Sequence, residues 1–159
     1  MTSINNKTPF GMQVFATIVA RLTINTAVRM LYPFLPAFSR GMGIAIQSNI
    51  RMLSLRSALG ISAPLLGMLP DRFGLRNTML GAMIMLAAAA ASMALWPGYG
   101  VFGLFLLLSA GAYFLFAPSE LAYLSERVPY KRRGSVIALI EIAWSGSMLL
   151  GVPLMGWLL

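Results

Sequence analysis

Apolar runs of about 20 residues recur along the chain, separated by short polar breaks, which is the pattern that crossing a bilayer core as α-helices demands. The breaks divide the chain into spans at roughly residues 11–38, 49–69, 78–96, 101–124 and 135–159. The expected fold class is all-α, a polytopic membrane helix bundle of about five transmembrane helices. The first run is too long for a signal-peptide core and lacks a small-residue cleavage site, so it is expected to remain as a helix. Pro33 and Pro36 are placed to end or kink this span near its far end, Pro64 to bend the second, and Pro118 to interrupt the fourth. Asn77 is a candidate N-cap for the third. Ser54, Ser57, Ala58, Gly60 and Ser62 in the second span, and Gly103, Ser109, Gly111 and Ala112 in the fourth, suit close helix packing.

Polar positions inside the spans carry the candidate chemistry. Arg21, Asn25, Arg29 and Tyr32 recur at spacings of four, four and three, so they share one helix face. Charges at membrane depth normally face a bundle interior or an aqueous cavity and mark function. Arg29 and Tyr32 lie far enough along the span to snorkel to the outer interface. Arg21 does not. At about 1.5 Å per residue, Arg21, Glu120 and Glu141 all lie about 10–13 Å from the inner ends of their helices. The expectation is that Arg21 pairs with one of the two glutamates. Arg51 stands near the entry of the second span and Arg56 deeper in it. The third span has no charge, and its run Ala87 to Ala91 offers nothing to line a polar path.

Composition agrees with this class. The chain is 58% hydrophobic and 10% charged, with a mean hydropathy of +0.79; an ordinary soluble domain carries about a quarter charged residues. The net charge of +8 and pI near 10.9 would suit nucleic acid, but the cations cluster in short loops, so no nucleic-acid partner is expected. Lys7, Arg72, Arg76, Arg127, Lys131, Arg132 and Arg133 fall in the N-terminal lead and in the breaks after the second and fourth spans. The other set of breaks holds Arg40, with Arg51 nearby. By the positive-inside rule the N-terminus is cytoplasmic.

Cysteine and histidine are both missing, which excludes disulfides and thiol chemistry and leaves metal sites without their usual ligands. No cofactor is expected. No HExxH, no G-x-S-x-G elbow and no Gly-rich phosphate loop after a strand is present, so the chain does not read as an enzyme or an ATP-driven pump.

The stretch Gly67-Met68-Leu69-Pro70-Asp71-Arg72-Phe73-Gly74-Leu75-Arg76 joins the second and third spans and organises the rest. Asp71 is expected at the C-terminal end of a helix, where the dipole is already negative, so it needs a cation or the N-terminus of a different helix. Arg72 and Arg76 are the local cations, and Gly67 and Gly74 permit close approach and a sharp turn. The stretch resembles the loop between helices 2 and 3 of the major facilitator superfamily, G-x-L-A-D-R-x-G-R-K. Gly67, Leu69, Asp71, Arg72, Gly74 and Arg76 match, and Pro70 and Leu75 depart. The stretch Ala122 to Gly134 resembles that family's helix 4 to 5 junction, where an acid pairs with the basic loop residues; Glu126 and Arg76, with Arg72 as a second cation, occupy those positions. The export motif G-x-x-x-G-P-x-x-G-G is matched only at Pro153 and Gly156.

The resemblance implies the N-terminal half of a secondary active transporter, with helix 6 and the second half absent from residues 1–159. It implies alternating access, proton coupling and efflux of a small solute or drug, in a bacterial cytoplasmic (inner) membrane. Arg21, Asn25, Glu120 and Glu141 would handle substrate or protons, and Asp71 would cap a helix of the opposite half. The partners would be the lipid bilayer, a small-molecule substrate, protons, and the missing C-terminal half or another subunit. The alternative is a truncated or accessory membrane bundle that binds a partner without transporting.

Overall fold

The structure, a computed structural model, describes residues 10–158; Lys7 of the N-terminal lead lies outside them. Helices account for nearly all of this stretch. In chain order they are α1 (Phe10–Arg29), α2 (Leu31–Met42), α3 (Ile46–Ala58), α4 (Ala63–Leu66), α5 (Leu69–Phe73), α6 (Leu75–Leu95), α7 (Tyr99–Arg127), α8 (Tyr130–Gly146) and α9 (Val152–Leu158). A 3-10 turn at Leu59–Ser62 links α3 to α4, and a π-turn at Ser147–Gly151 links α8 to α9. By length and composition α6, α7 and the run Tyr130–Trp157 can each cross a membrane, and α1 with α2 makes a fourth span bent by 54°. The fold is an all-α membrane bundle.

The bends have identifiable causes. Pro33 has no N–H for the carbonyl of Arg29, so the ladder opens at the α1–α2 junction. α2 runs on to Met42 and ends at Gly43, whose φ of 64° only glycine adopts cheaply. The Gly43 and Ile44 amides then donate to the carbonyls of Arg40 and Ser39, and the connection to α3 shrinks to a few residues.

The second span is not the continuous helix expected over 49–69. Pro64 cannot donate to the carbonyl of Gly60, and the Ala63 amide takes that acceptor in a tighter turn. The Ser62 hydroxyl donates to the Leu59 carbonyl at 2.7 Å and holds the same turn. Pro118, by contrast, does not interrupt its helix, because α7 continues through it. Asn77 is not an N-cap either. It lies inside α6 and its amide donates to the carbonyl of Phe73, the last residue of α5, at 3.1 Å.

α7 is the centre of the bundle. Near its N-terminal end it supplies Phe102, Phe105 and Leu106 to a cluster with Leu31, Leu35 and Ala89. It supplies Ala112 and Phe116 to a middle cluster with Ile24, Ala82 and Leu86, and Tyr123 and Leu124, near its C-terminal end, to a third with Ile140. Ala82 and Ala89 are fully buried, so α6 approaches α7 on its smallest side chains, as membrane helices do when packing rather than water drives association.

The π-turn sets the register of α8 and α9 against α1. A Cβ on Gly146 would touch Leu22 Cδ2 at 3.4 Å, and one on Gly151 would strike Thr26 Oγ1. Five residues of an α-helix turn through about 500°, which would leave the second glycine about 140° off that face. The wider i→i+5 turn brings it back.

Candidate functional site

α1 and α7 bring Arg21 and Glu120 together inside the bundle. Arg21 Nη1 lies 3.0 Å from Glu120 Oε2, with the side chains 9% and 1% exposed. The contact is an ion pair without hydrogen-bond alignment, and Arg21 Nε and Glu120 Oε1 have no hydrogen-bond partner. One turn along α1, Asn25 is fully buried and its Nδ2 is also unpartnered. Buried polar atoms are rarely left unpaired, and clusters of them accompany function or strain. Ser119, next to Glu120, spends its hydroxyl on the Leu115 carbonyl and leaves the carboxylate alone.

Glu141 does not join this pair. It is exposed on α8, though near enough to Glu120 for the two carboxylates to repel. Arg29 does not snorkel outward. Its guanidinium lies over the ring of Trp144 on α8, 3.8 Å from the centroid, an arrangement in which the ring quadrupole replaces water as the cation's partner. Tyr32 is exposed. Trp144 and the buried Ser147 were missed in the sequence. The available signal was Trp144's place three residues after a membrane carboxylate, on the same helix face.

In the Gly67 to Arg76 loop, Asp71 is not at a helix C-terminus. It stands exposed in the first turn of the short α5, where the dipole favours it slightly. Gly74 has φ 82° and ψ 145°, a region closed to other residues, and lets α5 turn directly into α6. Gly67 is different: its backbone is ordinary, and it is the closeness of the Pro64 carbonyl oxygen, 3.3 Å from a built Cβ, that favours glycine. Leu69 opens α5, and Arg72 sits 5.8 Å from the Phe73 ring. Asp71, Arg76 and Glu126 line one pocket, yet among the described residues no ion pair joins them. Arg127 stacks on Tyr123 at 3.8 Å, and the Tyr123 hydroxyl donates to Gln13 Oε1 at 3.0 Å, tying α7 to α1.

A family model described as Major Facilitator Superfamily matches residues 13–159. The chain belongs to the major facilitator superfamily. It is 31% identical over 148 residues to an uncharacterized MFS-type transporter, YwfA, of Bacillus subtilis (strain 168), covering 90% of this chain and 33% of that protein. It is 25% identical over 152 residues to a multi-drug resistance efflux pump PmrA homolog of Lactococcus lactis subsp. lactis (strain IL1403), covering 92% and 37%. It is 27% identical over 161 residues to the multi-drug resistance efflux pump PmrA of Streptococcus pneumoniae serotype 4 (strain ATCC BAA-334 / TIGR4), covering 98% and 39%. The chain therefore spans little more than a third of the length of these relatives. No solved structure matches it significantly.

As a facilitator-superfamily chain with apolar spanning helices, it is an integral membrane protein. Among the described residues no group of histidine, cysteine or carboxylate side chains could hold a metal ion. What the arrangement offers chemically is one carboxylate neutralised by one guanidinium at span depth, a neighbouring amide with an unused donor, and a second carboxylate left open to its surroundings.

Proposed function

We propose that the chain is the N-terminal half of a secondary active transporter that works by alternating access and exports a small solute or drug against protons. The observation that carries this is the Arg21–Glu120 pair, buried at span depth with oxygen and nitrogen atoms unpartnered. Protonating Glu120 removes its charge and frees Arg21, and a solute that takes either partner does the same. Because an uncompensated charge inside the membrane costs about 2.5–3.5 kcal/mol on insertion scales, proton and solute compete for one pair. That competition is a coupling device. Asn25 would hold the solute by its free donor, and Glu141 would be the second proton or solute group. The shared pocket of Asp71, Arg76 and Glu126 supports a gating role for the loop, with Asp71 meeting a helix of the second half. The names of the pneumococcal and lactococcal relatives favour drug efflux. The basic loops favour a bacterial cytoplasmic membrane with the N-terminus inside.

The test is proton-driven accumulation by the full-length protein in liposomes. Glu120→Gln is expected to abolish accumulation and its pH dependence while solute binding survives. Normal accumulation by Glu120→Gln, Glu141→Gln and the double variant, with an unchanged pH profile, would sink the reading.

A further inference from the structure

α3 is built inside out. The two positions it buries are Asn49 and Arg56, while Ile50 and Leu55 are exposed. Met52 and Gly60, one turn either side of Arg56, both meet α7: a Cβ on Gly103 would lie 3.1 Å from Met52 Cε, and one on Gly60 would lie 3.8 Å from the Phe114 ring. Arg56 therefore faces α7 between one close and one ordinary helix contact, and it is 7% exposed. It lies ten residues after Ile46, about 15 Å along the helix and so about half of a 30 Å hydrocarbon core. The helix breaks into its 3-10 turn just beyond, at Leu59. Discontinuous helices at the midplane are where transporters of several folds place their ligands.

Among the described residues the guanidinium has no counter-charge. The sequence holds four acids. Glu120 is paired with Arg21, Asp71 and Glu126 line the pocket of the Gly67 to Arg76 loop, and Glu141 is exposed on α8. None reaches Arg56, and its buried Nε has no hydrogen-bond partner. The carbonyls ending α3 supply about half an elementary charge, which compensates it only in part. A planar fork of donors is shaped for two oxygens of one carboxylate.

We propose that Arg56 is the centre of a carboxylate-binding site at mid-membrane depth, taking the carboxylate of a transported solute or that of an aspartate or glutamate from the remainder of the full-length protein. The first source rests on the transporter reading; the second does not.

The experiment uses the full-length protein in lipid nanodiscs, melted with 1-naphthoate or with its neutral amide, 1-naphthamide, in the wild type, Arg56→Lys, Arg56→Gln and Arg56→Met. A solute site predicts that naphthoate and not naphthamide raises the wild-type midpoint. Arg56→Lys should then weaken the response about tenfold, because a lysine lacks the bidentate fork, and Arg56→Gln should abolish it. A protein carboxylate predicts no naphthoate response, a lowered midpoint in Arg56→Gln, and recovery when one acid of the second half is also neutralised. The proposal is overturned if naphthoate does nothing and Arg56→Met melts at or above the wild-type midpoint. It is overturned equally if Arg56→Met is destabilised and no neutralisation in the second half repairs it. Binding is read here without turnover. A protein that binds naphthoate through Arg56 but transports nothing would overturn the transporter reading alone.

Discussion

Arg21 chooses Glu120 over Glu141: Nη1 and Oε2 are 3.0 Å apart across the contact between α1 and α7, while Glu141 stays exposed on α8. The pair sits where neither partner can reach water easily, so the consequence of losing one partner differs sharply from losing both. Removing one member of a buried pair typically costs about 3–5 kcal/mol, because the other charge is stranded, whereas removing both is often close to neutral. Arg21→Met in the full-length protein should therefore melt well below the wild type, and Arg21→Met with Glu120→Met should recover most of the difference. A double variant no better than the worse single one would show that the two side chains are held independently.

Arg29 and Trp144 link the first and fifth spans, with the guanidinium 3.8 Å from the ring centroid. Trp144 is 41% exposed, and contacts of this kind at exposed sites are worth about 0.5–1 kcal/mol. Trp144→Leu should lower stability by an amount that Arg29→Met largely duplicates. In a double-mutant cycle the two losses should not add. Full additivity, measured by denaturant or thermal unfolding in detergent, would mean that the stacking contributes nothing.

Gly151 is required by Thr26. A Cβ there would overlap the threonine hydroxyl and lie 2.9 Å from its Cγ2. Gly151→Ala is expected to cost about 1–3 kcal/mol, the usual penalty of overpacking. Adding Thr26→Ala, which removes both of the nearest atoms, should return much of it. Gly134→Ala, where nothing lies within 4 Å, is the control and should melt no lower than the wild type, because Ala favours the helix of α8.

The two glycines of the Gly67 to Arg76 loop should separate under substitution. Gly74 has a positive φ and open space around it, whereas Gly67 has an ordinary backbone and a close carbonyl. Gly74→Ala therefore pays backbone strain of about 1–3 kcal/mol. Gly67→Ala asks only for a few tenths of an ångström of adjustment against the Pro64 oxygen. Folded yield and transport by the full-length protein should fall more for Gly74→Ala than for Gly67→Ala. The reverse order would place the turn somewhere other than Gly74.

Much of the architecture was legible because it follows from a one-dimensional rule. A backbone in lipid must pair its own amides, so the length and spacing of apolar runs already specify helices and a bundle. The residues of the Gly67 to Arg76 loop already pointed to the superfamily. Pro33 and Pro64 were readable as bends, since a missing N–H acts on its own helix. Their outcomes were not: Pro64 sits in a broken span, while Pro118 is absorbed into a continuous one.

Everything that depends on rotation between helices lay beyond the linear pattern. Arg21, Glu120 and Glu141 share a depth, and depth is what counting residues supplies. Which carboxylate meets the guanidinium depends on the azimuth of α7 and α8 about their own axes, set by contacts such as Phe116 in the middle cluster and Gly151 against Thr26. Gly151's closeness to Thr26 on α1 has no local sequence signature, because the two are far apart along the chain. Arg56 could be seen to be deep, but not to be without a partner. A guanidinium's isolation is a statement about every acid in the chain at once, and the distances among them exist only after folding.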